Sequence, residues 1–253
     1  MSELAYTWLI ATNEVSDKLT KTLDSILEVN HDKPFEIVLV LNGAALTSSI
    51  ESILHPRTFD FVRLYRCQLP GLTHSLNIGL NEAKGRYILR IDTGDIALPN
   101  RVDVSRGCHS KFSSPAVVTA MVNWKGSVLN SSKFISLTDF LWGNPISHPT
   151  LSICRATLIR VGGYQGWGTA QDYDLWLRLI THKIPIYYEK TPTVIYEEFS
   201  SGLSRDFNIA YRNQIGSLAR ILFSRKFLFV AAILFVAAAK LIFRSTAAQF
   251  SKG

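Results

Sequence analysis

"RYILRIDTGD" (Arg86–Asp95) decides how the chain is read. Its first six residues form a short, largely apolar run bounded by polar positions, the pattern of a buried strand. Its end sets two carboxylates, Asp92 and Asp95, on either side of a Thr-Gly pair. Taken alone, that end has two readings. Asp, Thr and Gly are ordinary turn residues; the same residues could also hold a metal and a phosphate.

The segments around it give the stretch a place. "YTWLIAT" (Tyr6–Thr12) and "FEIVLVLNG" (Phe35–Gly43) are further apolar runs rich in β-branched residues. Between them "SDKLTKTLDSILEV" sets Leu19, Leu23, Ile26 and Leu27 at helical spacing, with Ser16 as N-cap. Strand, helix, strand reads as a βαβ unit with parallel strands. "FDFVRLYRC" makes a third strand, "LTHSLNIGLNEAK" a helix ending at Gly85, and "RYILRI" a fourth strand. RIDTGD then lies beyond the carboxyl end of a strand, where ligands bind in open α/β sheets. Downstream, "LPNRVDVSRGCHSKF" predicts a helix with Pro99 in its first turn. "AVVTAMVNW" predicts a strand, "FLWGNPISHPT" a loop, and "GGYQGWGTAQDYDLWLRLI" a glycine-rich loop entering a helix. "IPIYYEKTPTVIYEE" closes with strand-like runs.

The chain has 253 residues, 47% hydrophobic and 19% charged, enough to bury a core and too apolar for disorder. Residues 1–198 hold 19 Lys+Arg against 19 Asp+Glu. The formal charge of +7 therefore comes from residues 199–253, with 8 basic residues and the single acid Asp206. A neutral body argues against a nucleic-acid-binding protein. A basic tail points to an anionic membrane surface. Cys67, Cys108 and Cys154 lie far apart, without metal spacing, and are expected as reduced, packed thiols. The start "MSELAYTWLIATNE" lacks the features of a secretory signal, so the expected location is cytoplasmic.

"GLTHSLNIGLNEAKGRYILRIDTGDIALPNRV" resembles the core of the family 2 glycosyltransferases, which have the GT-A fold. "NPISHPTLSICRATLIRVGGYQ" and "QDYDLWLRL" resemble the second half of that family, in the same order. The likeness covers most of residues 6–180 and implies one mixed, mainly parallel α/β domain over residues 1–200, followed by a helical tail over 201–253. It also implies an enzyme that transfers a sugar from a nucleotide diphosphate donor to a saccharide hydroxyl. The leaving diphosphate develops negative charge, which a carboxylate-held divalent cation, Mg²⁺ or Mn²⁺, would stabilise. The attacking hydroxyl must lose its proton to a nearby base, and direct displacement inverts the anomeric carbon.

The resemblance distributes these tasks over named residues. Asp92 is implied at the ribose or nucleotide and with Asp95 at the metal, although Gly94 stands where relatives often carry an acid. Asp172 is implied as the base, with Gln171 where a glutamate is usual and in contact with the acceptor. Asp174, in the helix's first turn, is expected only to complement the helix dipole. Thr12, Asn13 and Glu14 match the nucleotide-contacting end of the first strand, and Asn42 could accept from a uracil ring, giving a UDP-sugar as donor. Other positions keep two readings. His148 is a phosphate or metal donor or a loop-fixing hydrogen bonder; Arg90 faces the diphosphate or is a solvated charge. Asn77 lines the nucleotide cleft or an exposed helix face, and Trp167 stacks on a sugar or packs in its loop.

In the tail, "FLFVAAILFVAAA" (Phe227–Ala239) is apolar on every side and flanked by Arg225, Lys226, Lys240 and Arg244. It is shorter than the ~20 residues of a membrane span. On a helical wheel Lys226, Lys240 and Arg244 fall in a narrow arc, which favours an interfacial helix over a span or a packed helix. The expectation is a peripheral enzyme at the inner membrane face, acting on a lipid-linked or polysaccharide acceptor in bacterial surface polysaccharide synthesis, such as O-antigen. Two rivals remain. A sugar nucleotidyltransferase would need a glycine-rich phosphate loop, which "ATNEVSDKLT" lacks. A non-catalytic membrane-associated scaffold of the same fold is suggested by Gly94, Gln171 and Leu41.

Overall fold

The computed structural model describes residues 5–29, 31, 34–50, 60–69, 71–123, 129–140, 143–165, 170–197 and 214–217. Strand β1 (Tyr6–Thr12) lies parallel to β2 (Phe35–Leu41), Tyr6 beside Phe35 and Thr12 beside Leu41, with helix α1 (Asp17–Leu27) connecting them. Both strands are largely apolar because both of their faces are covered, and their polar residues Thr7 and Glu36 bond each other. Trp8, Ile10, Ile37 and Leu39 pack with Leu19, Leu23 and Ile26 of α1. Leu9, Ala11, Val38 and Val40 face the other layer, where Leu76 and Leu80 of α2 (Leu72–Glu82) meet them.

β3 (Val62–Arg66) and β4 (Tyr87–Arg90) complete a parallel half. After it come β5 (Ile96–Ala97), α3 (Arg101–Phe112), β6 (Ala116–Val122), β7 (Lys133–Phe134), β8 (Ser152–Cys154), α4 (Arg155–Arg160), α5 (Gln171–Thr181) and β9 (Ile186–Ile195). The sheet order is β3-β2-β1-β4-β8-β6-β9-β5, with β7 also on β9. β6 and β9 are parallel, while β8 is antiparallel to both β4 and β6, so the sheet is mixed but mainly parallel in its pairing.

Several element boundaries differ from those expected. α2 ends at Glu82 rather than Gly85, because Glu36 Oε1 takes the Lys84 N–H at 2.5 Å and Thr7 Oγ1 takes that of Gly85 at 2.9 Å. These side chains pull the backbone off the helix. Pro99 precedes the helix instead of lying in its first turn; Asn100 is the N-cap and α3 starts at Arg101. Ser16 caps α1 by position, but its hydroxyl turns to Glu14 Oε1 at 3.4 Å. β5, β7, β8 and α4 were not expected; two- and three-residue strands carry too little period to read. Of the tail, residues 214–217 form one helical turn, and the apolar run Phe227–Ala239 lies outside the described residues. Among the described residues no helix is long and apolar enough to cross a membrane.

Candidate active site

The strand order reverses direction at β1, whose neighbours are β2 on one side and β4 on the other. In a doubly wound sheet this reversal opens a crevice at the carboxyl ends of the strands. Thr12 ends β1, Asn42 follows β2, and Asp92 lies two residues beyond β4. Thr12 Oγ1 closes a small turn, donating to the Glu14 carbonyl at 2.8 Å and accepting from the Glu14 N–H at 3.2 Å. Asn13 and Glu14 are exposed, and Glu14 pairs with Lys18 at 3.7 Å. Asn42 donates its amide N–H to Ser75 Oγ at 2.6 Å, which fixes the orientation of its amide.

The Asp92–Asp95 stretch is a closed turn, with the Asp95 N–H bonded to the Asp92 carbonyl at 3.2 Å. Gly94 has φ +100°, a conformation that an L side chain rarely adopts, so an acid at this position would strain this backbone. Helix α1 holds the turn in place. Thr22 Oγ1 accepts from the Gly94 N–H at 2.8 Å and donates to the Asp95 carbonyl at 2.9 Å, while Ser25 Oγ accepts from the Ala97 N–H at 3.0 Å. Sequence reading missed these two residues. Their signal is two hydroxyls three apart on a helix face otherwise made of Leu19, Leu23 and Ile26.

The two carboxylates of the turn have different settings. The Asp92 side chain is 42% exposed and pairs with the Arg90 guanidinium, which is 0% exposed. Arg90 also donates to the backbone carbonyls of Leu9 and Ile91, so it is neither solvated nor on the surface. Asp95 is sealed at 2% exposure with Oδ2 unpartnered. Burial, then the charge of Asp92, pushes its carboxyl up to about 8.

Asp172 opens α5, and its carboxylate accepts from Asn144 Nδ2 at 2.7 Å. Burial raises its pKa to about 6 against the lowering effect of the Tyr173 and Asp172 N–H groups and Asn144; Asp92 adds to the rise. The two acids thus feel each other across the crevice. Gln171 is buried beside Asp172 with Oε1 unpartnered. Asp174 does more than complement the dipole: it is fully buried and pairs with Arg178 Nε at 2.6 Å.

Three further residues are fixed within the protein. His148 is buried with Nε2 3.3 Å from the Tyr164 hydroxyl, and burial holds its pKa well below the usual value, so the ring is neutral. This is the loop-fixing arrangement. The Asn77 amide is engaged on both sides by the Tyr164 backbone, at 2.8 Å each. Arg101, from "LPNR", was not singled out, yet it is fully buried and joins the Thr150 and Leu151 carbonyls to Thr119 and Thr193. With no carboxylate partner among the described residues, burial lowers its pKa to about 9, which leaves it charged at neutral pH. Trp167 lies outside the described residues.

No group of three His, Cys, Asp or Glu side chains that could hold a metal ion occurs among the described residues. The donor set is one open carboxylate, Asp92, above the enclosed Asp95. That set suits a cation that keeps its waters and takes most other oxygens from a diphosphate, as Mg²⁺ does.

Comparison with known proteins follows the same outline. Residues 8–104 match the model of Glycosyl transferase family 2, a span running from β1 into α3. Over 181 residues the chain is 25% identical to the O-antigen biosynthesis glycosyltransferase WbnJ of Escherichia coli, covering 68% of this chain and 70% of that protein. It is 25% identical over 174 residues to the E. coli UDP-Gal:alpha-D-GlcNAc-diphosphoundecaprenol beta-1,3-galactosyltransferase, covering 65% of this chain and 62% of that one. The chain thus spans about two thirds of the length of these relatives. Among solved structures, S. aureus TarS 1–349 in complex with UDP-GlcNAc superposes with a TM-score of 0.68 at 14% identity, over 94% of this chain and 72% of that one. The mannosyltransferase PcManGT from Pyrobaculum calidifontis, in complex with GDP-Man and Mn²⁺, gives 0.65 at 18% identity, over 98% and 79%. These likenesses show a GT-A-like fold.

Proposed function

We propose that this chain, which carries a glycosyl transferase family 2 domain and is homologous to bacterial O-antigen glycosyltransferases, is an inverting transferase using a UDP-hexose or UDP-N-acetylhexosamine. The observation that carries the reading is the placement of Asp92 just beyond the carboxyl end of β4, beside the switch point of the sheet, with Asp172 in the first turn of α5 within range of its charge. The nucleotide would lie over the carboxyl ends of β1, β2 and β4, against Thr12, Asn13, Glu14 and the Asn42 amide oxygen. Asp92, backed by the buried Arg90, would face the ribose or diphosphate. A divalent cation, held by Asp92 and the donor's own oxygens above Asp95, would neutralise the leaving diphosphate. Asp172 would take the proton of the acceptor hydroxyl; with a pKa near 6 it is ionised at neutral pH yet basic enough to accept. Gln171 beside it would contact the acceptor.

The acceptor in this reading is a saccharide of a surface polysaccharide, carried on a lipid. The 201–253 tail would bring the 1–200 domain to the anionic inner face of the membrane. A second reading, a non-catalytic scaffold, rests on Gly94, whose backbone excludes the acid usual in relatives. The test is a panel of nucleotide sugars with Mg²⁺ or Mn²⁺, read by nucleotide release. Release from a UDP-sugar is expected, and Asp172→Asn should abolish it while UDP binding survives. No release from any donor would leave the scaffold, and near-full turnover of the variant would remove Asp172 as base.

A further inference from the structure

The turn between α4 and α5 is held from two sides, by Asn77 of α2 and Arg178 of α5. From α2, Asn77 Nδ2 donates to the Tyr164 carbonyl and Asn77 Oδ1 accepts the Tyr164 N–H, both at 2.8 Å. The two residues are 87 positions apart, so this is a tertiary lock and not a local cap. From α5, Arg178 donates to the Val161 carbonyl at 2.6 Å and to the Gly163 carbonyl at 2.8 Å, with Asp174 fixing its Nε. Gly163 has φ +64°, and a Cβ there would stand 2.6 Å from Asn77 Oδ1, so the lock requires glycine at that position. The turn buries Val161 in the core and turns Tyr164 inward as well. Tyr164 is 1% exposed, its hydroxyl lies 3.3 Å from His148 Nε2, and it lies within range of the charges of Arg90, Asp92 and Asp172.

We infer that Asn77 and Arg178 are positioning residues of the transfer reaction: together they lock the Val161–Tyr164 turn against α5, and so hold Asp172 and Tyr164 opposite Asp92. The spacing along α5 makes this direct. Asp174 and Arg178 lie in the two helical turns that follow Asp172, so the guanidinium ties the helix carrying the base to the turn that precedes it. Asn77 then ties that turn to α2, which packs on β1 and β2 beneath the proposed nucleotide. Asn77 and Arg178 would thus keep the base at its distance from the donor without themselves touching substrate. The inference rests on the reading of Asp172 as base, and it moves Asn77 from the nucleotide to the catalytic geometry.

The experiment compares Asn77→Ala, Asn77→Asp and Arg178→Lys with Glu36→Gln. Glu36 lies near the amino end of β2, away from the crevice, and accepts from Thr7, Arg63 and the Lys84 N–H. Its variant is expected to lose thermal stability with turnover kept. Asn77→Ala is expected to lower kcat roughly 10–100-fold, the scale of a small misplacement of a reacting group, with the Kd for UDP within twofold. Asn77→Asp keeps the acceptor for the Tyr164 N–H but loses the donor, and should fall between Ala and wild type. Amide exchange at Tyr164 should accelerate in Asn77→Ala, which removes its acceptor, and stay near wild type in Asn77→Asp, which keeps it, a readout independent of substrate. Weakened UDP binding with kcat kept would return Asn77 to the nucleotide site and overturn the inference. So would a kcat loss no larger than that of Glu36→Gln at equal loss of stability. Failure of the base reading is distinct: Asp172→Asn would then keep turnover whatever the Asn77 variants do.

Discussion

Asp172 is subject to two opposing influences, and the balance between them sets how it could work. It stands at the amino end of α5, where backbone N–H groups and Asn144 favour the ionised carboxylate. Burial and the neighbouring Asp92 favour the protonated one, and they prevail, raising the pKa to about 6. As a base the group works only when ionised, so turnover should rise with pH through about 6 and level off above it. A kcat profile from pH 5 to 8 checks this, with activity at pH 5 expected roughly tenfold below the plateau. Asp172 was singled out through the resemblance of QDYDLWLRL to the family 2 glycosyltransferases; what was legible locally is the helix after a glycine-rich loop, in whose first turn it stands. Thr22, Ser25 and Arg101 were not legible. Each is an ordinary residue until the tertiary fold puts it against a backbone group far along the chain, 72 residues away in the case of Gly94 and Thr22.

The elements explain why the Asp92–Asp95 turn keeps its shape without an acid at Gly94. Helix α1 presents a mixed face, with leucine and isoleucine holding it to the sheet and two hydroxyls reaching the turn. Thr22→Val keeps the volume but strands the Gly94 N–H and the Asp95 carbonyl in a buried place. The expected loss is about 1–3 kcal/mol in urea unfolding, together with weaker donor binding by calorimetry. The long strands were read from their largely apolar, β-branched runs, which burial on both faces gives β1 and β2, and α1 from its helical spacing. β8 was not, because its three residues, "SIC", are strand only by virtue of the partners on either side, β4 and β6. Even the end of α2 was decided elsewhere, by Glu36 and Thr7.

At the scale of the molecule, the sheet divides the work proposed for it. The parallel half, β3-β2-β1-β4, carries the nucleotide candidates and, but for the first two residues of β1, falls within the matched span 8–104, while Asp172, Gln171 and His148 come from the later half. The tail adds a third part in this proposal. Removing residues 227–253 should move the protein from the membrane pellet to the supernatant, checked by fractionation and by co-sedimentation with anionic vesicles. Retention in the pellet would show that the tail is not the anchor. The pairing of β5 has a consequence of another kind. β5 follows Asp95 directly, yet its ladder partner is the end of β9, Ile96 beside Ile195 and Ala97 beside Val194. Loop closure over about a hundred residues is slow compared with the local βαβ contacts before it. During synthesis the first half of the sheet can assemble early, but the strand that anchors the Asp92–Asp95 turn waits for nearly the last of the domain to leave the ribosome. A nascent chain cut short of Val194 would therefore leave β5 without its ladder partner and the turn held by Thr22 and Ser25 of α1 alone, so that the last support of the donor site arrives with the end of β9.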